Sequence, residues 1–282
     1  MGNEDFSDAA LVLFCHGSTL NADSGAPVFQ HAAELRRRKR FAKVYEGFWK
    51  QEPRVMDVLP RITARRVFLV PLFMSEGYFS EGVIPRALGF PDAGGGETQR
   101  AVRRPNQVLF YCRAVGTHPR MTEVLLARAK GVVQQFPFPR IPRPQEITLF
   151  VAGHGTEEHE DSRAAVEQQV DSLRALETYA AVHGVFLEET PLVSACYRLA
   201  RTKNIVLVPF FASDGMHARE DIPVLLGEPK HLVEQRLRSG QPAWRNPTEK
   251  NRKLVWYAAS VGTEPAVADV IWERVREAAA WV

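Results

Sequence analysis

The sequence predicts an α/β protein made of two tandem three-layer α/β/α domains, each with a mainly four-stranded parallel sheet. Three observations predict it. Short apolar runs of strand length alternate with segments of helix length, the pattern of a parallel sheet covered on both faces. The chain repeats itself: Leu11 to Gly89 aligns with Leu149 to Gly227 at a constant shift of 138 without a gap, and 25 of the 79 positions are identical. A length of 282 residues fits two domains of about 140 residues, each large enough to bury a core.

In the first repeat, Ala9 to Cys15 is a continuous apolar run and therefore a buried strand. A helix follows from about Pro27 to Arg40, then a strand from Lys43 to Trp49. Pro53 opens a helix to about Ala64, because a proline in the first turn forfeits no hydrogen bond. Val67 to Phe73 and Val108 to Ala114 complete the four strands, and Pro119 opens a last helix. The second repeat copies this order, with strands at Ile147 to Ala152, Val182 to Leu187, Ile205 to Phe211 and Leu254 to Ser260. After a length change of eight residues, Val115-Gly116-Thr117-His118-Pro119 matches Val261-Gly262-Thr263-Glu264-Pro265. Between the repeats lie Pro137, Pro139, Pro142 and Pro144, the composition of a stiff connector. The expected domains are residues 1–136 and 146–282, joined by a Pro-rich linker at 137–145.

Composition narrows the functional class. Apolar residues make up 45% and charged residues 24%, and the net charge is only +3. These values exclude a disordered chain or a fibre. Cys15, Cys112 and Cys196 are far apart, without CxxC or zinc spacing, which argues against a disulfide framework and for a reducing compartment. The start of the chain is acidic and lacks an apolar core segment, so no signal peptide is expected. No apolar stretch reaches the roughly 18 residues of a membrane span. A cytoplasmic protein without membrane attachment is the expectation. There is no GxxxxGK[ST] loop and no GxGxxG after a strand, so no nucleotide cofactor is expected. Basic residues are not interleaved with stacking aromatics, so nucleic acid is not an expected partner.

Ligands of open parallel sheets bind beyond the carboxyl ends of the strands. His16 and His154 stand directly after the first strand of their repeats. The loops after the third strands read Met74-Ser75-Glu76-Gly77-Tyr78-Phe79 and Ala212-Ser213-Asp214-Gly215-Met216-His217. The second repeat thus places His154 and His217 after two strands that could be neighbours. Paired neutral imidazoles can hold a divalent transition metal or move protons near neutral pH. Asp214 is a candidate to orient an imidazole or compensate charge. The first repeat keeps His16 and Glu76 but has Phe79 at the place of His217, so His16 and Glu76 are secondary candidates. His118, at the end of the fourth strand, is another. His159 reads as a solvated residue at a helix start. Arg36 and Arg37 belong to a basic run, and Arg100, Arg103 and Arg104 to a loop expected to be flexible. Both are candidates to meet carboxylates, and the bland alternative is a solvated helix end and a disordered loop.

Together, His16-Gly17-Ser18, His154-Gly155-Thr156, Val208-Pro209-Phe210-Phe211, Gly215-Met216-His217, Asp221-Ile222-Pro223 and Val115-Gly116-Thr117-His118-Pro119 resemble the sirohydrochlorin cobaltochelatase/ferrochelatase family of CbiX/SirB type, in its long form with two tandem copies. The resemblance covers nearly the whole chain, once per repeat. It implies a chelatase-like fold and insertion of Co2+ or Fe2+, as substrate and without ATP, into an acidic tetrapyrrole for cobalamin or siroheme. It also implies a cleft shared by the two halves, and a monomeric internal pseudo-dimer or weak homodimer. The family's two functional histidines fall on His154 and His217. In the first repeat Phe79 replaces the second histidine and Val83 the aspartate, so that half is expected to be a lid. Two other functions compete. A histidine phosphatase would need an arginine before the histidine, and Cys15 and Gly153 stand there. A metal or tetrapyrrole carrier would bind without accelerating insertion.

Overall fold

The computed structural model describes residues 5–19, 22–94, 97–155 and 161–281. In chain order it comprises β1 (Phe6–Cys15), α1 (Ala26–Arg37), β2 (Phe41–Phe48), α2 (Val55–Val58), β3 (Arg66–Pro71), α3 (Ile84–Ala87), the small hairpin β4 (Asp92–Gly94) and β5 (Glu97–Thr98), β6 (Ala101–Arg104), β7 (Gln107–Tyr111) and α4 (Met121–Gln135). Then come β8 (Ile147–Gly153), α5 (Asp161–Ala175), β9 (Ala181–Phe186), α6 (Cys196–Leu199), β10 (Asn204–Pro209), α7 (Ile222–Leu225), α8 (Lys230–Arg238), β11 (Thr248–Lys250), β12 (Lys253–Tyr257) and α9 (Val267–Ala279). Among the described residues, no helix is long and apolar enough to cross a membrane.

The first sheet has the order β2-β1-β3-β7-β6 and the second β11-β12-β10-β8-β9. Four strands of each are parallel, as the continuous apolar runs require, and Leu11, Val12, Leu13 and Leu149, Phe150, Val151 are fully buried. A fifth strand, β6 or β11, adds antiparallel to one edge of each sheet. These strands were not expected, because Ala101–Arg104 and Thr248–Lys250 are short and polar. Charged side chains suit an edge open on one side. The segment after Pro53 is also shorter than expected, only α2 followed by a single 3-10 turn at Leu59–Arg61.

The compact units cross the expected boundary at residue 136. One unit is Met1–His118 with Pro265–Val282, and the other is Pro119–Glu264. Helix α4 packs on β10, β12 and α5, and α9 packs on α1, β3 and β7. Each sheet is thus covered by the terminal helix of the other sequence repeat. The segment expected as a free linker packs with the second unit: the Phe136 carbonyl accepts Trp256 Nε1–H at 2.9 Å, and Arg140 pairs with Glu146 at 2.8 Å.

The eight-residue length difference falls in the stretch that forms α8 and β11. Glu228 anchors it, buried, with Arg236 at 2.6 Å and Lys250 at 2.8 Å. Burial opposes ionisation of this carboxyl, but the hydrogen bonds from Lys250 and Arg236 outweigh it and hold its pKa below the ordinary 4.5. The charge therefore stabilises the fold fully above pH 4.5 and is lost as pH falls through the lowered folded value. Glu228→Gln is expected to cost about 1–3 kcal/mol at neutral pH, because it leaves two cations without their partner. Denaturant melts should show the gap between wild type and variant narrowing on acidification, and a pH-independent gap would refute the assignment.

Candidate functional site

The parallel pairing of β8 with β10 sets Ala152 beside Pro209, so the loops leaving the two strands start side by side. His154 is the first residue after β8. Gly155 follows in the left-handed region at φ +67°, and a Cβ there would lie 2.6 Å from Glu189 Cγ. Only glycine fits such a turn, which gives the His-Gly motif a structural cause.

The loop after β10 is held by the end of β12. The Asp214 carboxylate accepts the Ser260 N–H at 2.7 Å, and the Ser260 hydroxyl donates to the Ser213 carbonyl at 2.9 Å. Gly262 lies so close that a Cβ would sit 2.3 Å from the Ala212 carbonyl oxygen. The Tyr257 hydroxyl donates to the Ala218 carbonyl at 2.5 Å. On this support the chain makes one wide π-turn, His217–Asp221, which runs directly into α7.

The turn brings His217 Nδ1 within 2.6 Å of Asp221 Oδ2, four residues on. His154 Nδ1 lies 3.0 Å from the Gly155 carbonyl and 3.7 Å from Glu188 Oε2. Carbonyl and carboxylate oxygens only accept, so Nδ1 is the donor in each contact, and in the neutral ring this tautomer leaves the lone pair on Nε2. The two rings meet edge to face, with centroids 4.8 Å apart and planes at 87°. Both side chains are partly open to solvent. His217 and Asp221 line a cavity of about 430 Å³ together with Leu187, Glu188, Met216 and Lys230. Among the described residues no group of three or more His, Cys, Asp or Glu is arranged around a metal position. Two imidazole nitrogens can hold a divalent transition metal while leaving its other coordination positions open.

The same scaffold in the first unit carries different chemistry. His16 Nδ1 lies 3.0 Å from the Gly17 carbonyl, and the Tyr111 hydroxyl donates to the Ser80 carbonyl at 2.5 Å. The ring facing His16, however, is Phe79, at 5.3 Å between centroids.

A family model, CbiX, matches residues 10–132 and again residues 148–278. The chain belongs to the CbiX family. It is 38% identical over 281 residues to the probable sirohydrochlorin cobaltochelatase of Halobacterium salinarum, covering 96% of this chain and 92% of that one. Among solved structures it is similar to DR2241 of Deinococcus radiodurans, a multi-domain protein with structural similarity to chelatases (TM-score 0.73, 29% identity). That match covers 94% of this chain, which spans 54% of the Deinococcus protein. Bacillus subtilis SirB, solved with Fe3+, shares the fold at a TM-score of 0.65 and 17% identity, with 96% of each chain covered.

Within the two CbiX repeats the other expected site residues fall as follows. Asp214 and Glu76 hold their loops rather than an imidazole: Glu76 accepts the Ala114 N–H at 3.2 Å and the Thr117 hydroxyl at 2.9 Å. His118 is buried with its Nε2 3.4 Å from Glu277. Arg36 pairs with Glu46 and Arg37 with Glu34. In a β-α-β crossover the helix ends beside the start of the next strand, so these arginines lie toward the amino ends of the first sheet, away from the loops that leave β1 and β3 at their carboxyl ends. Arg103 and Arg104 lie on edge strand β6, and Arg100 forms an ion pair with Glu81. The expected flexible loop is thus in part a strand. His159 lies outside the described residues.

Asp221 is not among the residues expected at the site from sequence. Its signal was the i,i+4 spacing from His217 on a helical turn, where such side chains meet. Asp221→Asn should lower affinity for Co2+, titrated by calorimetry, by about 10- to 100-fold, since a hydrogen-bonded carboxylate fixes tautomer and basicity of a ligating imidazole. Unchanged affinity would show that this pair is structural.

Proposed function

We propose that this protein is an ATP-independent chelatase that inserts a divalent metal, Co2+ or Fe2+, into a sirohydrochlorin-type tetrapyrrole, for cobalamin or siroheme synthesis in the cytoplasm. The carrying observation is the edge-to-face pair His154 and His217, each with its Nδ1 proton engaged and its Nε2 lone pair open. The name of the Halobacterium salinarum relative supports the substrate class.

Metal is the substrate here, held first by the two Nε2 atoms. Each pyrrole nitrogen that takes the metal must shed a proton, and each imidazole that releases the metal regains a lone pair. The exchange balances: two pyrrole protons go to two imidazoles while the metal passes to the ring. The Asp221 carboxylate stabilises the imidazolium that forms at His217, and Glu188 stands near that of His154. No nucleotide is needed, because ring nitrogens bind the metal more strongly than two imidazoles and the protons leave to solvent.

The test mixes purified protein with metal-free sirohydrochlorin and Co2+ or Fe2+, and follows absorbance against a protein-free control. Accelerated insertion is expected. A spectral shift on binding the macrocycle without acceleration would replace the chelatase by a carrier, and no change of either kind would reject both.

A further inference from the structure

We infer that the carboxyl end of the first sheet is a metal-free platform for the face of the acidic tetrapyrrole, formed by Trp49, Tyr78 and Phe79 with Lys50 at its border. This deepens the chelatase reading and rests on it. The shift of 138 lets every position be compared on one scaffold. Lys50 stands where the second repeat has Glu188, and Val83 where it has Asp221. Gly82 stands for Glu220, Phe79 for His217, Tyr78 for Met216 and Trp49 for Leu187. The backbone is kept: the Lys50 N–H donates to the His16 carbonyl as that of Glu188 does to His154, at 2.8 and 3.2 Å.

These exchanges run one way, and the one in this loop that runs against them, Glu81 at the place of Arg219, is paired with Arg100. The residues that could hold or attract a cation are lost, and large rings and a cation appear. Phe79 meets Trp49 edge-on at 5.5 Å and Phe73 at 6.4 Å, so its ring is clamped from two sides. Trp49 and Phe79 pack against the core and are half-buried, whereas Tyr78 is 69% exposed and Lys50 is exposed. The Tyr78 ring lies over Gly82, 3.6 Å from where a Cβ would be, an ordinary contact distance. The carboxylates of the same loop are engaged, Glu76 by Ala114 and Thr117, and Glu81 by Arg100. A flat aromatic ring bearing carboxylates matches this surface: stacking serves its face, and Lys50 serves a peripheral acid. Among the described residues no group of three or more His, Cys, Asp or Glu surrounds a metal position near His16, and Phe79 and Val83 offer no ligand there.

The inference separates two roles, metal handling in the second unit and ring recognition in the first. It is tested by titrating metal-free sirohydrochlorin and following its absorbance. Tyr78→Ser and Lys50→Glu change exposed side chains, so both variants fold. Each should weaken macrocycle binding about fivefold and the double variant well beyond tenfold, a factor of ten being about 1.4 kcal/mol. Co2+ titration of the same proteins reads the histidine pair separately. A double variant that binds the macrocycle within about twofold of wild type overturns the platform and leaves the chelatase reading standing. Wild-type protein that binds no macrocycle overturns both. Loss of Co2+ binding in these variants would overturn the separation of roles.

Discussion

Replacing either His154 or His217 by alanine is expected to lower the rate of metal insertion by about 100-fold or more, the usual worth of a positioned proton acceptor. The loss is large because each imidazole does two things in turn. It supplies one of the two nitrogen ligands and then one of the two proton acceptors. The double variant should be hardly worse than either single one, since residues that act as a unit do not add. Stability should change little. Neither side chain is buried, and the Nδ1 protons are given to neighbours on the same turn. His231→Ala serves as the control, since His231 is exposed on α8. Insertion measured by absorbance under single-turnover conditions decides the matter. Wild-type rates in both single variants would remove these residues from the reaction, and near-normal rates in one would leave a single-histidine mechanism.

Much of this site was legible before any coordinates. His154 and His217 each follow a strand, and the duplicated order implied that those strands pair, as β8 and β10 do. The pairing with Asp221 had only its i,i+4 spacing as a signal, and a loop sequence does not announce that it closes into a helical turn. Asp214 and Glu76 hold backbone, a role that their place in the loops does not announce. A carboxylate beside a catalytic loop can equally cap backbone N–H groups of the neighbouring strand end, and both of them do so. The arginines of α1 pair with Glu46 and Glu34 of their own unit, and a charged run says nothing about which end of the sheet it meets. The edge strands β6 and β11 escaped because apolar patterning marks strands that are buried on both faces, and edge strands are not. Repeat matching also has a limit of principle. It shows which segments are copies, but a terminal helix can cover its own sheet or that of the other copy with the same apolar face.

That exchange yields the second large expectation. A chain ending at Pro265 lacks only a helix of the second sequence repeat, yet it is the first unit that should unfold. Helix α9 buries Val267, Val270, Ile271 and Val275. At about 1.5–3 kcal/mol per fully buried aliphatic side chain, their removal forfeits roughly 6–12 kcal/mol, as much as a whole domain's net stability. The helix carries more than these. Trp272 meets Phe6 edge-on at 5.2 Å and Phe41 at 5.7 Å. Arg274, buried, donates to the Ala114 carbonyl at 3.0 Å and the Thr117 hydroxyl at 2.8 Å, and so ties down the end of β7. Asp269 pairs with Arg38 at 2.5 Å. Without α9 the β3–β7 face beside α1 is left bare, while the second unit keeps α4, with Val124, Leu125 and Val132 buried. Hydrogen exchange should therefore show β1, β3 and β7 unprotected in the truncated chain, and β8, β10 and β12 nearly as protected as in the whole protein. Protection lost from the second sheet instead would mean that each repeat folds with its own last helix. Adding a peptide of residues 266–282 should restore protection to the first sheet, because the surface it covers is specific to its apolar face and to Arg274.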